Sequence, residues 1–168
     1  LYWARDAIED LAGRGIIKGR TDRLFAPNEN ISRAEFTALV VRAFGLAGVP
    51  VGNFNDVMVN HWAYREVIIA KNLGIVTGDS DNMFYPDTPI TREDMSVIAS
   101  RASIAAGKPL PWHDISVLDK FMDRNSISEE ALLLMASLHG EGILNGRSEY
   151  EIAPKDTSTR AEAAVLLH

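Results

Sequence analysis

A repeat of 59 positions limits what this chain can fold into. Trp3 and Trp62 stand that far apart, and so do Gly15 and Gly74, Ile16 and Ile75, Gly19 and Gly78, Phe25 and Phe84, Pro27 and Pro86, and Arg33 and Arg92. No gap is needed to align them. A third, looser copy places Gly142 to Gly146 against Gly74 to Gly78, with Pro154 and Arg160 in step with Pro86 and Arg92. Upstream, Trp112-His113-Asp114-Ile115 reads against Phe54-Asn55-Asp56-Val57, which implies an insertion around Ser116 to Ser126. The tryptophan position of this copy holds Glu130. Relative to the middle copy, the first lacks the Phe-x-Asp-Val segment, and the third stops at His168 before any match to Arg101. The resulting units are residues 1–48, 49–107 and 108–168.

Each unit reads as helix, structured loop, helix. Ala4, Ala7, Ile8 and Leu11 make an apolar stripe over about residues 4–13, repeated over 63–72 and 129–139. Gly15, Gly74 and Gly142 follow these helices where a left-handed residue closes the last turn. The second helix opens at Ser32-Arg33-Ala34-Glu35, Thr91-Arg92-Glu93-Asp94 and Thr159-Arg160-Ala161-Glu162. A hydroxyl followed three positions later by an acid is a capping box. Phe36, Leu39, Val40 and Ala43 turn inward, as do Met95, Ile98, Ala99 and Ala102. Two short helices cannot bury their own stripes, whereas three units side by side can. The expected architecture is all-α: three helix-loop-helix repeats in one pseudo-threefold bundle, with three inter-repeat clefts.

The capping box explains the hydroxyl and the acid but not the arginine between them. A cation at the first helical position sits at the positive end of the helix dipole, which disfavours it by roughly 0.3–1 kcal/mol. Three such placements point to helix starts that receive an anion, with free first-turn N–H groups and an arginine fork acting together on a carboxylate. Arg33 and Arg92 stand in well-kept frames, and Arg160 in a drifted one. Trp3 and Trp62 are core anchors for much of each ring, or ring faces at a cleft edge. Asp56 and Asp114 cap the first helix or bond a loop N–H, the sharper alternative being acceptance of sugar hydroxyls. Gly19, Gly78 and Gly146 serve a tight turn and also allow close approach of a ligand to the backbone.

The composition excludes several classes. A net charge of −6 opposes a general nucleic-acid binder, while 46% apolar and 24% mixed charged residues fit a packed core. There is no cysteine and no apolar run of membrane-spanning length, and no signal peptide is expected at Leu1. Asp79-Ser80-Asp81-Asn82 resembles the start of a calcium loop, but Phe84 and Ile90 stand at its sixth and twelfth positions, so a turn is expected. The four histidines show no metal spacing. No cofactor, metal site or catalytic constellation is expected.

Phe54-x-Asp56-Val57 before His61-Trp62-Ala63, then Gly-Ile-x-x-Gly, Phe-x-Pro and Ile-Ser/Thr-Arg-x-Glu/Asp, resembles the S-layer homology domain, in the right order and over essentially the whole chain. The resemblance implies a pseudo-trimer around a central bundle, secreted to a bacterial cell wall. It implies a non-catalytic anchor that attaches an S-layer or surface protein by binding a secondary cell-wall polysaccharide bearing pyruvylated N-acetylmannosamine. Arg33, Arg92 and Arg160 would then clamp the ketal carboxylate, and Trp3, Trp62, Asp56 and Asp114 would shape the clefts. Glu130 and Lys155 depart from the pattern, so the cleft using Arg160 is expected to bind weakly or to be repurposed. Neither nucleic acid nor membrane insertion is expected, and the module would be monomeric within a larger surface protein. The alternative is a helical-repeat scaffold for protein partners, which predicts an exposed apolar groove. A glycan-processing enzyme would need a pair of cleft carboxylates, and none stands out.

Overall fold

The computed structural model describes residues 2–168, and its description is helical, without strands beyond isolated bridges. Six α-helices follow in order: α1 (Arg5–Gly13), α2 (Arg33–Ala43), α3 (Tyr64–Asn72), α4 (Arg92–Ala105), α5 (Glu129–Gly140) and α6 (Arg160–Leu167). Their bounds lie within a residue or two of the periodicity. Three 3₁₀ turns sit at Tyr2–Ala4, Ile115–Leu118 and Arg124–Ser126.

The local chemistry sets both ends of these helices. At α2, Ser32 Oγ accepts from the Glu35 N–H at 3.2 Å and Glu35 Oε2 accepts from the Ser32 N–H at 2.9 Å. Thr159 and Glu162 do the same for α6. At α4, Thr91 accepts from the Asp94 N–H at 3.2 Å, with no return bond to the Thr91 N–H. Asp94 is one methylene shorter than glutamate, and it faces Arg33 instead, at 3.4 Å. Past α3, Gly74 takes φ +71 while its N–H reaches the Lys71 carbonyl and the Ile75 N–H reaches the Ala70 carbonyl. That pair of bonds is a Schellman closure. The same bonds recur after α1 and α5.

The helices pack in a cyclic order. The second helix of one copy lies against the first helix of the next: α2 on α3, α4 on α5, and α6 back on α1. At the centre, backbone hydrogen bonds close the ring. The Ile31 N–H donates to the Ser158 carbonyl, Ser158 to Ile90, and Ile90 to Ile31, at 3.0, 2.9 and 3.0 Å. Phe36, Phe84, Ile31, Ile68, Ile90 and Met95 are among the large side chains fully buried in the main core. A second core forms around Leu118, Phe121, Met135 and Ile152 beneath α4 and α5.

Two alignments made from sequence need correction. Trp112 does not take the place of Phe54, which is fully buried against Phe84 and Gly78. Phe121 takes it, packing against Gly146 as Phe54 packs against Gly78. Asp123 accordingly replaces Asp114 as the counterpart of Asp56. The Asp56 carboxylate accepts from the Phe84 and Tyr85 N–H groups at 2.8 and 2.7 Å, and Asp123 accepts from Ile152 and Ala153 at 3.0 and 2.7 Å. Asp114 instead caps the 3₁₀ turn at Ile115, accepting from the Ser116 N–H at 2.9 Å. The extra residues therefore precede Phe121. From Arg33 to Phe54 is 21 positions, and from Arg92 to Phe121 is 29.

Candidate functional site

The three signature arginines are placed alike. Arg33 Nε donates to the Phe84 carbonyl, Arg92 Nε to Ile152 and Arg160 Nε to Phe25, each at 3.0 Å. Each guanidinium then meets the capping acid of the following helix in the ring. Arg33 lies 3.4 Å from Asp94, Arg92 3.3 Å from Glu162, and Arg160 3.5 Å from Glu35. The carbonyl each one grips precedes a residue with positive φ: Tyr85 at 61°, Ala153 at 53° and Ala26 at 55°. A side chain with a Cβ resists that conformation by about 1–2 kcal/mol, and a proline follows each of these residues. The arginine holds each strained corner from one side, and at the Tyr85 and Ala153 corners Asp56 and Asp123 hold it from the other.

The corner delivers the next carbonyls onto the helix starts. The Arg33 and Ala34 N–H groups donate to Thr88 and Pro86, those of Arg92 and Glu93 to Asp156 and Pro154, and those of Arg160 and Ala161 to Glu29 and Pro27, at 2.9–3.0 Å. The expected anion seat made of free first-turn N–H groups is thus occupied by the neighbouring copy's backbone. Burial lowers the pKa of Arg92 and Arg160, each 4% exposed, from the usual arginine value. Both remain cations, since arginine titrates far above neutrality.

Open space lies beside these clasps. The first cleft, at the α2/α3 seam, consists of two adjoining hollows of about 520 and 350 Å³ that share Arg20, Glu35 and Trp62. Asp87 and Asn30 stand on one side, and Arg160 lies at the back. The second cleft, at the α6/α1 seam, measures about 500 Å³ and carries Arg147, Glu162 and Trp3, with Arg92 behind. Arg20 and Arg147 follow Gly19 and Gly146 directly and hold matching partners. Arg20 Nε lies 2.9 Å from Glu29, with a further pair to Glu35, and Arg147 lies 3.1 Å from both Asp156 and Glu162. Burial lowers the Arg20 pKa, but the hydrogen bonds it donates to Glu29 and Glu35 outweigh that and hold the group above its ordinary value. The Arg20 charge in turn helps to depress that of Arg160. Two guanidinium groups therefore share one carboxylate at each cleft floor, repelling each other around it.

Trp3 and Trp62 are 56% and 58% exposed, so the ring faces belong to the cleft edges rather than to the core. His61 backs Trp62 at 5.8 Å between ring centres. Gly19 and Gly146 line the clefts, and a Cβ at either would meet backbone oxygens at 2.5 Å. Gly78 packs under Phe54. At the α4/α5 seam the corresponding positions carry Asp79 for the arginine and Glu130 for the tryptophan. Asp79 is used in its own turn, accepting from the Asp81 and Met83 N–H groups and from the Tyr85 hydroxyl at 2.5–3.0 Å, while Glu130 pairs with Arg101. Arg33 faces this seam. Arg160 and Arg92 thus stand behind the two open clefts, and Arg33 behind the seam that carries neither ring nor cation.

The sequence reading missed Arg20 and Arg147 because the first and second copies differ there. Comparing the first with the third, 127 positions on, would have found them, since Gly19-Arg20, Glu29 and Glu35 recur as Gly146-Arg147, Asp156 and Glu162. Among the described residues no group of three or more His, Asp or Glu could hold a metal, and no helix is long and apolar enough to cross a membrane.

The S-layer homology domain profile matches residues 2–37 and 53–96. An amylopullulanase of Thermoanaerobacterium thermosulfurigenes is 37% identical over 99% of this chain, which spans 9% of that protein. The surface-layer 125 kDa protein of Lysinibacillus sphaericus is 26% identical over 98% of the chain, here 14% of the relative. A cellulosome-anchoring protein of Acetivibrio thermocellus is 43% identical over 39% of the chain, 15% of the relative. The chain thus corresponds to a small part of each relative, and enzyme names among them describe proteins that extend far beyond the matched stretch. Residues 2–37 and 53–96 are thus S-layer homology segments, and the relatives of the chain include S-layer and cell-surface proteins.

Proposed function

We propose that this S-layer homology chain is a cell-envelope anchor that holds an anionic secondary cell-wall polysaccharide in two clefts, one at the α2/α3 seam and one at the α6/α1 seam. Residues 1–48, 49–107 and 108–168 act together as one module, because each cleft draws its arginines and its tryptophan from different copies. The observation that carries this reading is the twofold occurrence of one constellation: an exposed tryptophan beside two arginines that share a single glutamate. A carboxylate entering beside Arg20 or Arg147 relieves the repulsion between the paired guanidiniums and gains charge-assisted hydrogen bonds. The tryptophan face takes the apolar side of the sugar ring that carries that carboxylate. A pyruvate ketal on an N-acetylmannosamine-type residue presents both groups on one ring.

Arg160 and Arg92 act from behind, fixing the loops that bear Arg20 and Arg147. Asp56 and Asp123 hold the strained corners and do not reach the glycan. The larger protein attached through this module would be an S-layer protein or a surface enzyme, as the names of its relatives suggest. Calorimetry against purified wall polymer, with and without its pyruvate ketals, tests the reading. Binding of the native polymer with loss on ketal removal is expected, whereas equal affinity for both would sink the carboxylate role.

A further inference from the structure

The α4/α5 seam contains a groove unrelated to the clefts. Ser100, Ser103 and Ser137 line it, with Ile104, Leu134 and Trp112 around them. Ser100 and Ser137 are buried, 6% and 4% exposed, and neither hydroxyl has a hydrogen-bond partner. Ser103 Oγ is satisfied, donating to the Ser100 carbonyl at 3.2 Å. A buried hydroxyl without a partner costs about 1–3 kcal/mol. At the α2/α3 seam the corresponding residues are Val41 and Ile69, both buried in the main core. The fold can therefore close this position with apolar side chains, and the α4/α5 seam places two unpaired hydroxyls there instead.

The added residues before Phe121 supply the groove's rim. The His113 ring lies against Gly140, where a Cβ would come within 2.3 Å of it, and His113 Nε2 is 2.7 Å from Glu141. Its neighbour Trp112 nevertheless remains 66% exposed. A tryptophan on a pinned loop thus stands beside two hydroxyls that need partners, and every lining residue is uncharged.

We infer that this groove binds a neutral sugar residue, with the ring's apolar face on Trp112 and one sugar hydroxyl inserted toward Ser100 and Ser137. The enclosed space is about 20 Å³, room for one water-sized group, so a single hydroxyl enters while the ring stays outside on the indole. A hydroxyl is both donor and acceptor and can satisfy both serines. An apolar protein side chain would leave them unpaired, and a charged ligand would meet no counter-ion. The inference is independent of the anionic clefts.

The test is NMR titration of the full chain with methyl glucoside, methyl galactoside and methyl N-acetylglucosaminide, read at the three tryptophan indole N–H signals. At least one glycoside is expected to shift the Trp112 signal saturably while Trp3 and Trp62 stay in place. Trp112→Ala should abolish other shifts around the groove. Ser100→Val with Ser137→Ile, which copies the apolar pair of the α2/α3 seam, should raise Tm and weaken the response at least tenfold. Ser100→Ala with Ser137→Ala gives the same reading without added bulk should the larger pair fail to fold. No saturable shift at Trp112, or an undiminished one in the serine variants, overturns the site. Arg20→Ala with Arg147→Ala should leave the Trp112 response intact, so failure of this site and failure of the anionic clefts are separately visible.

Discussion

The α2/α3 and α4/α5 seams share a backbone and differ in side chains. Both begin with a carbonyl clasped by a signature arginine, a strained residue before proline, and two first-turn N–H groups taken by the neighbouring loop. Onto that frame the first seam adds Arg20 and Trp62 and stays open, as the α6/α1 seam does with Arg147 and Trp3. The α4/α5 seam has Asp79 and Glu130 in those positions, and it is tied by Glu93, which accepts from Ser128 Oγ at 2.7 Å and from Lys155. Two jobs that the shared motif merges in sequence are separate in the fold. The arginine of the capping sequence ties the copies together, and under the proposed function the arginine after the loop glycine is the one that meets the ligand.

The largest expected effect tests that separation. Arg92→Ala leaves the Ile152 and Asn145 carbonyls and Glu162 without their buried cation. Breaking a buried charged clasp by removing one partner costs about 3–5 kcal/mol, and thermal unfolding should show a loss of about 6–20 °C at this chain length. Arg33→Ala, at a partly exposed clasp, should cost about 1–2 kcal/mol. Equal, small effects of the two would mean that the arginines are not structural. Next in size is Arg20→Ala with Arg147→Ala, which should leave Tm within a few degrees and weaken polymer binding by about 100-fold or more. Either single change should cost about tenfold, because the other cleft still tethers the chain. A double variant that binds like the parent would return the anion role to Arg33, Arg92 and Arg160.

These outcomes also mark how far the sequence could be read. Helix positions, the closing glycines and the capping hydroxyls were legible because each depends on neighbours within about four residues. The cyclic packing followed from the repeat, since Ala4, Ala7 and Leu11 need an apolar partner that their own copy does not supply. The partners of the arginines were not legible. Arg33 meets Phe84 and Arg160 meets Phe25, 51 and 135 positions away, and spacing along a chain cannot reveal that a first-turn N–H is already taken. The alignment of Trp112 and Asp114 with Phe54 and Asp56 fails for a related reason: a local match of four residues outweighs the packing of Phe121 on Gly146, which is a tertiary fact.

A smaller effect should come from rebuilding the missing cleft. Asp79→Arg with Glu130→Trp gives the α4/α5 seam the cation and ring of the other two, with Arg33 already behind it. A third site on a polymer held at two should raise apparent affinity about threefold, read by calorimetry with the ligand in excess. No gain, with the fold intact, would show that the tie between Glu93 and Lys155 itself closes this seam.

The smallest expected effect concerns that tie and depends on pH. Burial raises the Glu93 pKa, but hydrogen bonds from Lys155 and Ser128 outweigh it, and the carboxyl sits below its usual value. A group depressed in the folded state stabilises the fold at neutral pH, and that contribution disappears as pH falls from the unfolded value near 4.3 through the lower folded one. The α4/α5 seam should therefore loosen in acid before the α2/α3 seam, where Ala34 occupies the position of Glu93. Hydrogen exchange at pH 7 and pH 4 should show protection at Ser128 and the first turn of α5 falling more than at Ala63 and the first turn of α3. Glu93→Gln removes the titrating group, so the variant should begin less protected at pH 7 and lose less on acidification. If both seams lose protection in parallel in the parent chain, Glu93 does not set the acid response, and the difference between the seams is confined to their ligand-facing residues.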